Sequence, residues 1–494
     1  MDRRRGKCTK FFLNLEKSRA EGNTINILTK EDGDVLTSEK DIMMEIRRYY
    51  ENLYKENNNE NIATEETRKF AKDLNVPILS EQQKLESELN LAENEIHAAM
   101  MSMNTGSAPG SDGIGLSWYQ MFWEDIKKEF MESLEYSHQI GRLSPTQRQG
   151  TISLIHKGKE LPKEKLTNWR PISLTNTDYK IISKALALRL KKVLPSIIHD
   201  NQKGFINGRN ISTAIREIDD IVEYESSRAQ TESIALSIDY SKAFDTVSLG
   251  VITEALKLFG FGDNLISWIG VLLKDRLANI KNGGLYSDFF ALERGVRQGC
   301  PVSPMLFVIA VELLSISVRQ DNKIHGIKFP NSPQTIKILQ YADDTTLFAK
   351  NLIDFREILA KIKDFSNFSG LRLNENKSKA MILSKTRPRP RTVDNIECVD
   401  KLKLLGIVFS SSSPAGEISD NWESKIEAIE RTLNLWAKRD LSILGKITIL
   451  KTFALSKINY IINSVGMPTN ILNKLNSMFF SIPLEKEILK YKSL

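Results

Sequence analysis

The stretch IKILQYADDTTLFAK, residues 336–350, decides the fold. It reads as two apolar strand segments, marked by Ile336, Ile338, Leu347 and Phe348, joined at a turn that carries two adjacent aspartates, Asp343 and Asp344. Aspartate is depleted from strands, and neighbouring carboxylates repel each other. A multivalent cation removes that conflict, and a hairpin tip is a rigid place from which to offer hard oxygen ligands to Mg²⁺. Taken alone, an Asp-Asp pair is also common in ordinary turns.

The surroundings weigh against the ordinary turn. Upstream lies SIALSIDYSKAFDTV, residues 233–247. Ile234, Leu236 and Ile238 alternate with Ala235 and Ser237, as a half-buried strand does. That strand ends on Asp239, and Ser241, Lys242 and Ala243 open a turn or helix. A third carboxylate at a strand end suits a two-metal site, which activates a 3′-hydroxyl and stabilises a leaving pyrophosphate in an in-line displacement.

Composition permits this chemistry without demanding it. The chain has 494 residues and a net charge of +7, a mild excess compatible with a polyanionic partner. Basic residues concentrate in 157–192 and 384–391. Cys8, Cys300 and Cys398 are too scattered for a disulfide framework or a cysteine zinc site, so a reducing compartment is expected. MDRRRGK at the start is followed by FFLNLEKSR rather than an apolar core, so no signal peptide is expected. The most apolar run, PMLFVIAVELL, is short and carries Glu312, so no membrane is expected.

Along the chain, residues 1–85 read as a charged helical extension or linker, with KENNNENIATEETRK (55–69) polar enough to be mobile. A short amphipathic helix is expected over 92–104, and a loop over TGSAPGSDGIG (105–115). A helix over 116–140 would align Trp118, Phe122, Ile126, Phe130 and Leu134. TISLIHKGK (151–159) and NWRPISL (168–174) read as strands, followed by a basic helix over 177–194 capped by Asn176 or Thr177. KLKLLGIVF (401–409) reads as one short strand. Trp422, Ile426, Ile429, Leu433 and Trp436 form one helical stripe, and both tryptophans are expected in the core.

In RGVRQGCPVSP (294–304), Gly295 and Gly299 allow close backbone approach to a ligand, and Ser303 and Pro304 start a helix. Asp245 reads as a structural cap, and Trp169 as core.

Eight segments in order carry a family resemblance: SAPGSDGIG, NWRPISLTNTDYKIISKALALRL, QKGFINGRNIST, SIDYSKAFDTV, RGVRQGCPVSPMLF, YADD, GLRLNENKSKAM and KLLGIVF. Together they cover about 105–410, and the chain resembles the reverse transcriptases of LINE-type non-LTR retrotransposons. The resemblance implies an α+β right-hand polymerase of fingers, palm and thumb, with an antiparallel palm sheet and a helical thumb. On this basis residues 86–232 are fingers and N-terminal palm elements, 233–410 the catalytic palm and 411–494 the thumb.

The resemblance also implies roles. Asp239, Asp343 and Asp344 match catalytic metal ligands for two Mg²⁺, with Mn²⁺ an alternative. Phe244 matches a steric gate against a ribose 2′-hydroxyl, and Gln298 with Gly299 faces the incoming nucleotide. Arg170 matches a fingers arginine for the triphosphate, a task for which cationic groups are needed. Lys157 is a phosphate partner in competition with Lys159, Lys163 and Lys165, and Lys377 is assigned to phosphate or proton transfer. Arg209 matches the template side, with Phe205 packed beneath it, and Lys438, Arg439, Lys446 and Lys451 are thumb candidates for backbone contact.

The implied partners are an RNA template, a DNA primer and dNTPs, with a nuclear address; oligomeric state is open. Members of this family usually carry an endonuclease and a C-terminal Cys/His segment, so a fragment or truncated copy is expected. Ser111 stands where the family often has proline. Two rival readings remain: a group II intron-type reverse transcriptase, and a non-catalytic RNA-binding remnant of a retroelement.

Overall fold

The computed structural model describes residues 23–56, 60–158, 160–228, 231–330, 334–384, 390–437, 439 and 441–480. Cys8, Lys159, Lys438, MDRRRGK and most of TRPRPR lie outside them. The fold mixes helix and sheet in two units, each discontinuous in sequence. The first gathers Met1–Ile198, Ser241–Leu313 and Phe365–Leu371. The second gathers His199–Tyr240, Leu314–Asp364 and Arg372–Leu494.

In the second unit a six-stranded sheet runs Ile338–Tyr341, Asp344–Ala349, Ile234–Ile238, Lys379–Ile382, Ile396–Cys398, Thr392–Val393. All its pairings are antiparallel except that of Lys379–Ile382 with Ile396–Cys398. Ile234–Ile238 is a central strand, and Ala235 is as fully buried as Leu236. The expected half-buried alternation therefore fails, because both faces are covered. The helix Ile211–Ser227 buries Ile215, Ile218, Ile221 and Val222, at helical spacing, in one core with Ala235, Leu339 and Phe348.

KLKLLGIVF is a hairpin rather than one strand: Lys401–Leu404 pairs with Ile407–Ser410 across Leu405 and Gly406, both with positive φ. An unbroken apolar run concealed that turn. In the helix Ser419–Ala437, Trp422 is buried. Trp436 is only half-buried, with Phe453 stacked on one side and Arg439 over its ring, so it is not core.

In the first unit a sheet runs Trp169–Thr175, Gln149–His156, Leu277–Asn282, Leu285–Tyr286, with Phe290–Ala291 also paired to Leu277–Asn282. The helix Glu39–Tyr54 places Ile42, Ile46, Tyr50 and Tyr54 four residues apart along one stripe. That stripe enters a core with Ile152, Leu154, Trp169, Ile280 and Phe290. The helix Glu39–Tyr54 of the expected extension is thus built into the unit.

Residues 60–69, expected to be mobile, belong to the helix Glu60–Ala71, with Ala63 and Thr67 buried and Arg68 bonded to Glu254. The expected helix over 116–140 is two, Leu116–Met121 and Trp123–Gln139, broken at Phe122. Trp118 and Phe122 are exposed, and Trp123 is buried instead. The expected helices over 92–104 and 177–194 are present as Glu93–Met101 and Thr177–Ile197.

The 18-residue helix Ser303–Gln320 is long and apolar enough to cross a bilayer by length and composition. Most of it, Glu312 included, is buried inside the protein, which marks a core helix.

Arg189 ties two parts of the first unit. It is 6% exposed, bonds both oxygens of Glu95 at 2.8 and 2.6 Å, and donates to the carbonyls of Ser87, Leu89 and Asn90. Arg189→Ala strands these acceptors, and a loss of about 3–5 kcal/mol is expected on urea denaturation.

Candidate active site

Asp239, Asp343 and Asp344 all belong to the second unit. The register sets their spacing. Thr345 pairs with Ile238, so Asp344 and Asp239 are each the next residue beyond that pair on adjoining strands. Tyr341 pairs with Asp344 to close a two-residue turn of Ala342 and Asp343. Asp344 therefore begins a strand, and Asp343 alone occupies the turn.

Ala342 has φ 58°, a left-handed conformation that a residue with a Cβ adopts at a cost of about 1–3 kcal/mol. Gln202, fully buried, stabilises it. Its Oε1 accepts from the N–H groups of Ala342 at 2.9 Å and Gly204 at 2.8 Å, and its Nε2 donates to the Ala342 carbonyl at 3.4 Å. The backbone beside it continues the brace: Lys203 N–H donates to Gln340 O, and Gln340 N–H donates to Asn201 O, both at 2.8 Å.

The residues after Gly370 steady Asp239 in turn. Its N–H donates to Ser378 Oγ at 3.2 Å, and its carbonyl accepts from Asn374 N–H at 2.8 Å. Its Oδ2 accepts from Asn374 Nδ2 at 3.3 Å. Sequence reasoning missed Gln202, Asn374 and Ser378, although each sits in a segment that the family resemblance quoted.

Asp343 and Asp344 reach solvent, and Asp239 is half-buried. Partial desolvation by the flanking protein, then the charges of Asp343 and Asp239, push the Asp344 carboxyl up to about 6. Both the loss of water and the neighbouring negative charges disfavour its ionised form.

Among the described residues, no three or more His, Cys, Asp or Glu side chains are gathered closely enough to hold a metal as they stand. The donor set still suits Mg²⁺, which commonly takes one or two carboxylates and completes its octahedron with water and substrate phosphates.

Three further candidates belong to the second unit. Lys377 is exposed on the turn that fixes Asp239, its N–H donating to Asn374 O at 3.1 Å. Arg209 donates to the carbonyls of His199 at 2.6 Å and Gln202 at 2.8 Å and meets Asp200 at 3.4 Å. Its guanidinium thus orders its own segment. Phe205 is 46% exposed at φ 61°.

The remaining candidates belong to the first unit. Arg170 points outward between buried Trp169 and Pro171, as strand alternation dictates. Trp169 is core, its Nε1 donating to Lys163 O. Lys157 is half-buried and donates through Nζ to Thr167 O at 2.8 Å. Lys163 and Lys165 are exposed. The half-buried ring of Phe244 stacks on buried Phe307, with centroids 4.5 Å apart and planes at 17°.

The Gln298 loop rests on the Trp169–Thr175 strand, where Ser173 N–H donates to Gln298 O at 2.8 Å. Gly299 is exposed at φ 104°. Gly295 does permit a close approach, but to the protein itself: a Cβ there would lie 2.3 Å from the Asp245 carbonyl oxygen. Buried Arg276 donates to the carbonyls of Leu292 and Gly295, where this loop begins, and of Leu273 in the helix before it. Burial and the neighbouring Arg297 lower its pKa to about 10. Asp245 is no cap. It is fully buried, accepting from Tyr54 Oη at 2.7 Å and Gln298 Nε2 at 2.9 Å.

The brace around Asp343 is sterically tight, since a Cβ on Gly204 would lie 2.4 Å from Ala342 N. Gly204→Ala is expected to cost about 1–3 kcal/mol in thermal denaturation. Gly115→Ala, where no atom lies within 4 Å, should stay within about 0.5 kcal/mol.

The chain is similar to several known proteins. Over 457 residues, covering 92% of this chain and 34% of the relative, the chain is 28% identical to a Xenopus laevis protein named Transposon TX1 uncharacterized 149 kDa protein. It is 28% identical over 69% of its length to a Popillia japonica retrovirus-related Pol polyprotein from the type-1 retrotransposable element R2, covering 48% of that protein. It is 25% identical over 65% of its length to the Drosophila melanogaster Pol polyprotein from the type-2 element R2DM, covering 30% of it. The chain thus spans less than half the length of each. Residues 161–409, half of the chain, match the family described as reverse transcriptase (RNA-dependent DNA polymerase), and the chain belongs to that family.

Proposed function

We propose that this chain is the polymerase portion of a non-LTR retrotransposon protein and copies an RNA template into DNA by adding dNTPs to a primer 3′-hydroxyl. One observation carries the reading: the register pairs Ile238, the residue before Asp239, with Thr345, the residue after Asp344, and a braced turn carries Asp343. The family match over 161–409 supports it. In polymerase terms the second unit's sheet corresponds to the palm, and the helices after residue 415 to the thumb. The sheet and loop that carry Arg170 and Gln298 serve the nucleotide.

Asp239 and Asp343 would hold two Mg²⁺ ions, with Asp344 assisting. When bound, these ions supply Lewis-acid activation of the 3′-hydroxyl and charge stabilisation of the departing pyrophosphate. The chain's own groups do the rest. Arg170 and Lys157 offset the triphosphate charge, and Lys377 contributes a further cation. Gln298 and the open backbone at Gly299 contact the nucleotide. Phe244, fixed by Phe307, excludes a 2′-hydroxyl. Phe205 offers an exposed ring on which a template base can stack. Arg209 acts by ordering that segment.

Primer extension on an RNA template with dNTPs and Mg²⁺ tests this, with wild type beside Asp343→Ala. Synthesis by wild type and a drop of about 10³-fold or more in the variant is expected, several kcal/mol of transition-state stabilisation. Equal activity in both would refute the site. RNA binding without any synthesis by folded wild type would favour the binding-remnant reading.

Phe244→Val tests the gate separately. Ribonucleotide use relative to deoxynucleotide should rise about 10- to 100-fold, the range that one lost side-chain contact commands. Unchanged discrimination in an active variant would leave Phe244 as packing alone.

A further inference from the structure

The last turn of the helix Glu39–Tyr54 reaches the loop that carries Gln298. Tyr54 O accepts from the N–H groups of Glu293 at 3.1 Å and Arg294 at 3.3 Å, and Arg294 Nε donates to Leu53 O at 2.9 Å. The side chains make a second connection through the buried Asp245. One carboxylate oxygen accepts from Tyr54 Oη at 2.7 Å, and the other from Gln298 Nε2 at 2.9 Å. The loop also closes on the Asp245 turn: Gly295 N–H donates to Val247 O at 2.8 Å, and Val296 N–H to Phe244 O at 2.7 Å.

We propose that Tyr54 and Asp245 are positioning residues for the incoming nucleotide, fixing the side-chain amide of Gln298 through a Tyr54–Asp245–Gln298 chain of hydrogen bonds. This rests on the assignment of Gln298 to the nucleotide. An ionised carboxylate only accepts, so Asp245 dictates that Nε2 of Gln298 faces it and that Oε1 faces away. A free glutamine amide has no such preference. Tyr54 occupies the other oxygen, which keeps the carboxylate from rotating away from Gln298.

Burial pushes the Asp245 carboxyl up to about 6, against the pull of Lys242, Tyr54, Gln298 and Lys157. Two donors, Tyr54 Oη and Gln298 Nε2, favour its ionised form, as the amide orientation requires. Tyr49 and Tyr50 stand on the same helix, with the Lys242 ammonium over both rings. The helix Glu39–Tyr54 thus acts on nucleotide binding through Asp245.

The test is steady-state primer extension with Tyr54→Phe, Gln298→Ala and the double variant, with thermal melts alongside. Tyr54→Phe keeps the ring in the core and removes only the hydroxyl. The dNTP KM is expected to rise about tenfold with kcat nearly unchanged, the pattern of lost binding rather than lost chemistry. In the double variant the Tyr54 change should add nothing to Gln298→Ala, because both act through one chain.

Two results would overturn the proposal. If Gln298→Ala raises the KM but Tyr54→Phe does not, or the two effects add, the relay fails while the assignment of Gln298 stands. If Gln298→Ala leaves the KM unchanged, the assignment itself fails and the relay with it.

Discussion

The constraint on which the second unit turns is the mutual repulsion of Asp239, Asp343 and Asp344. No unaided chain favours three carboxylates at adjoining strand ends. Here the backbone imposes the arrangement. The Ile234–Ile238 strand is buried on both faces and paired on both edges, so Asp239 cannot retreat without losing the ladder. Gln202 holds Ala342 in a conformation that alanine resists, and Asn374 and Ser378 hold Asp239 from the other side. The raised pKa of Asp344 reflects burial first and the neighbouring charges of Asp343 and Asp239 second. Stability lost in this way is what a cation, arriving with a triphosphate, can return.

The first unit solves a different problem: presenting a glycine-rich loop without letting it move. Its solution is buried charge set against backbone carbonyls. Arg276 holds the carbonyls of Leu292 and Gly295 where the loop begins, Arg294 reaches Leu53, and Gly295 lets the loop press on Asp245. Each of these groups is buried, so each must find its partner, and removing one strands another. The same economy explains why the helix Glu39–Tyr54 belongs to the unit. Its aromatic stripe fills the core while its last residue bonds the loop.

Much of this was legible in the sequence, and the failures have physical causes. The strands flanking the aspartates, the loop over 105–115 and the helix after Asn176 could be read because periodicity and turn chemistry act locally. The Leu405–Gly406 turn was hidden in an apolar run, since both of its strands needed apolar residues. Residues 60–69 read as mobile because their composition is polar; Ala63 and Thr67 supply a small buried face, and the Arg68–Glu254 pair lies 186 residues apart in sequence. Asp245 read as a cap because its partners, Tyr54 and Gln298, are far away in the chain. The metal-ligand candidates were visible as residue types, whereas the groups that hold them, Gln202 above all, become meaningful only with the register known.

Under the proposed two-metal reading, repulsion among the three carboxylates costs stability that a bound divalent cation relieves. The most direct measurement is thermal denaturation of wild type and Asp343→Asn with and without Mg²⁺. Without metal, Asp343→Asn should melt above wild type, because one repelling charge is gone. With millimolar Mg²⁺, wild type should rise as binding to the native state requires, and the variant should gain much less. A variant that melts below wild type without metal, or that gains as much from Mg²⁺, would contradict the claim.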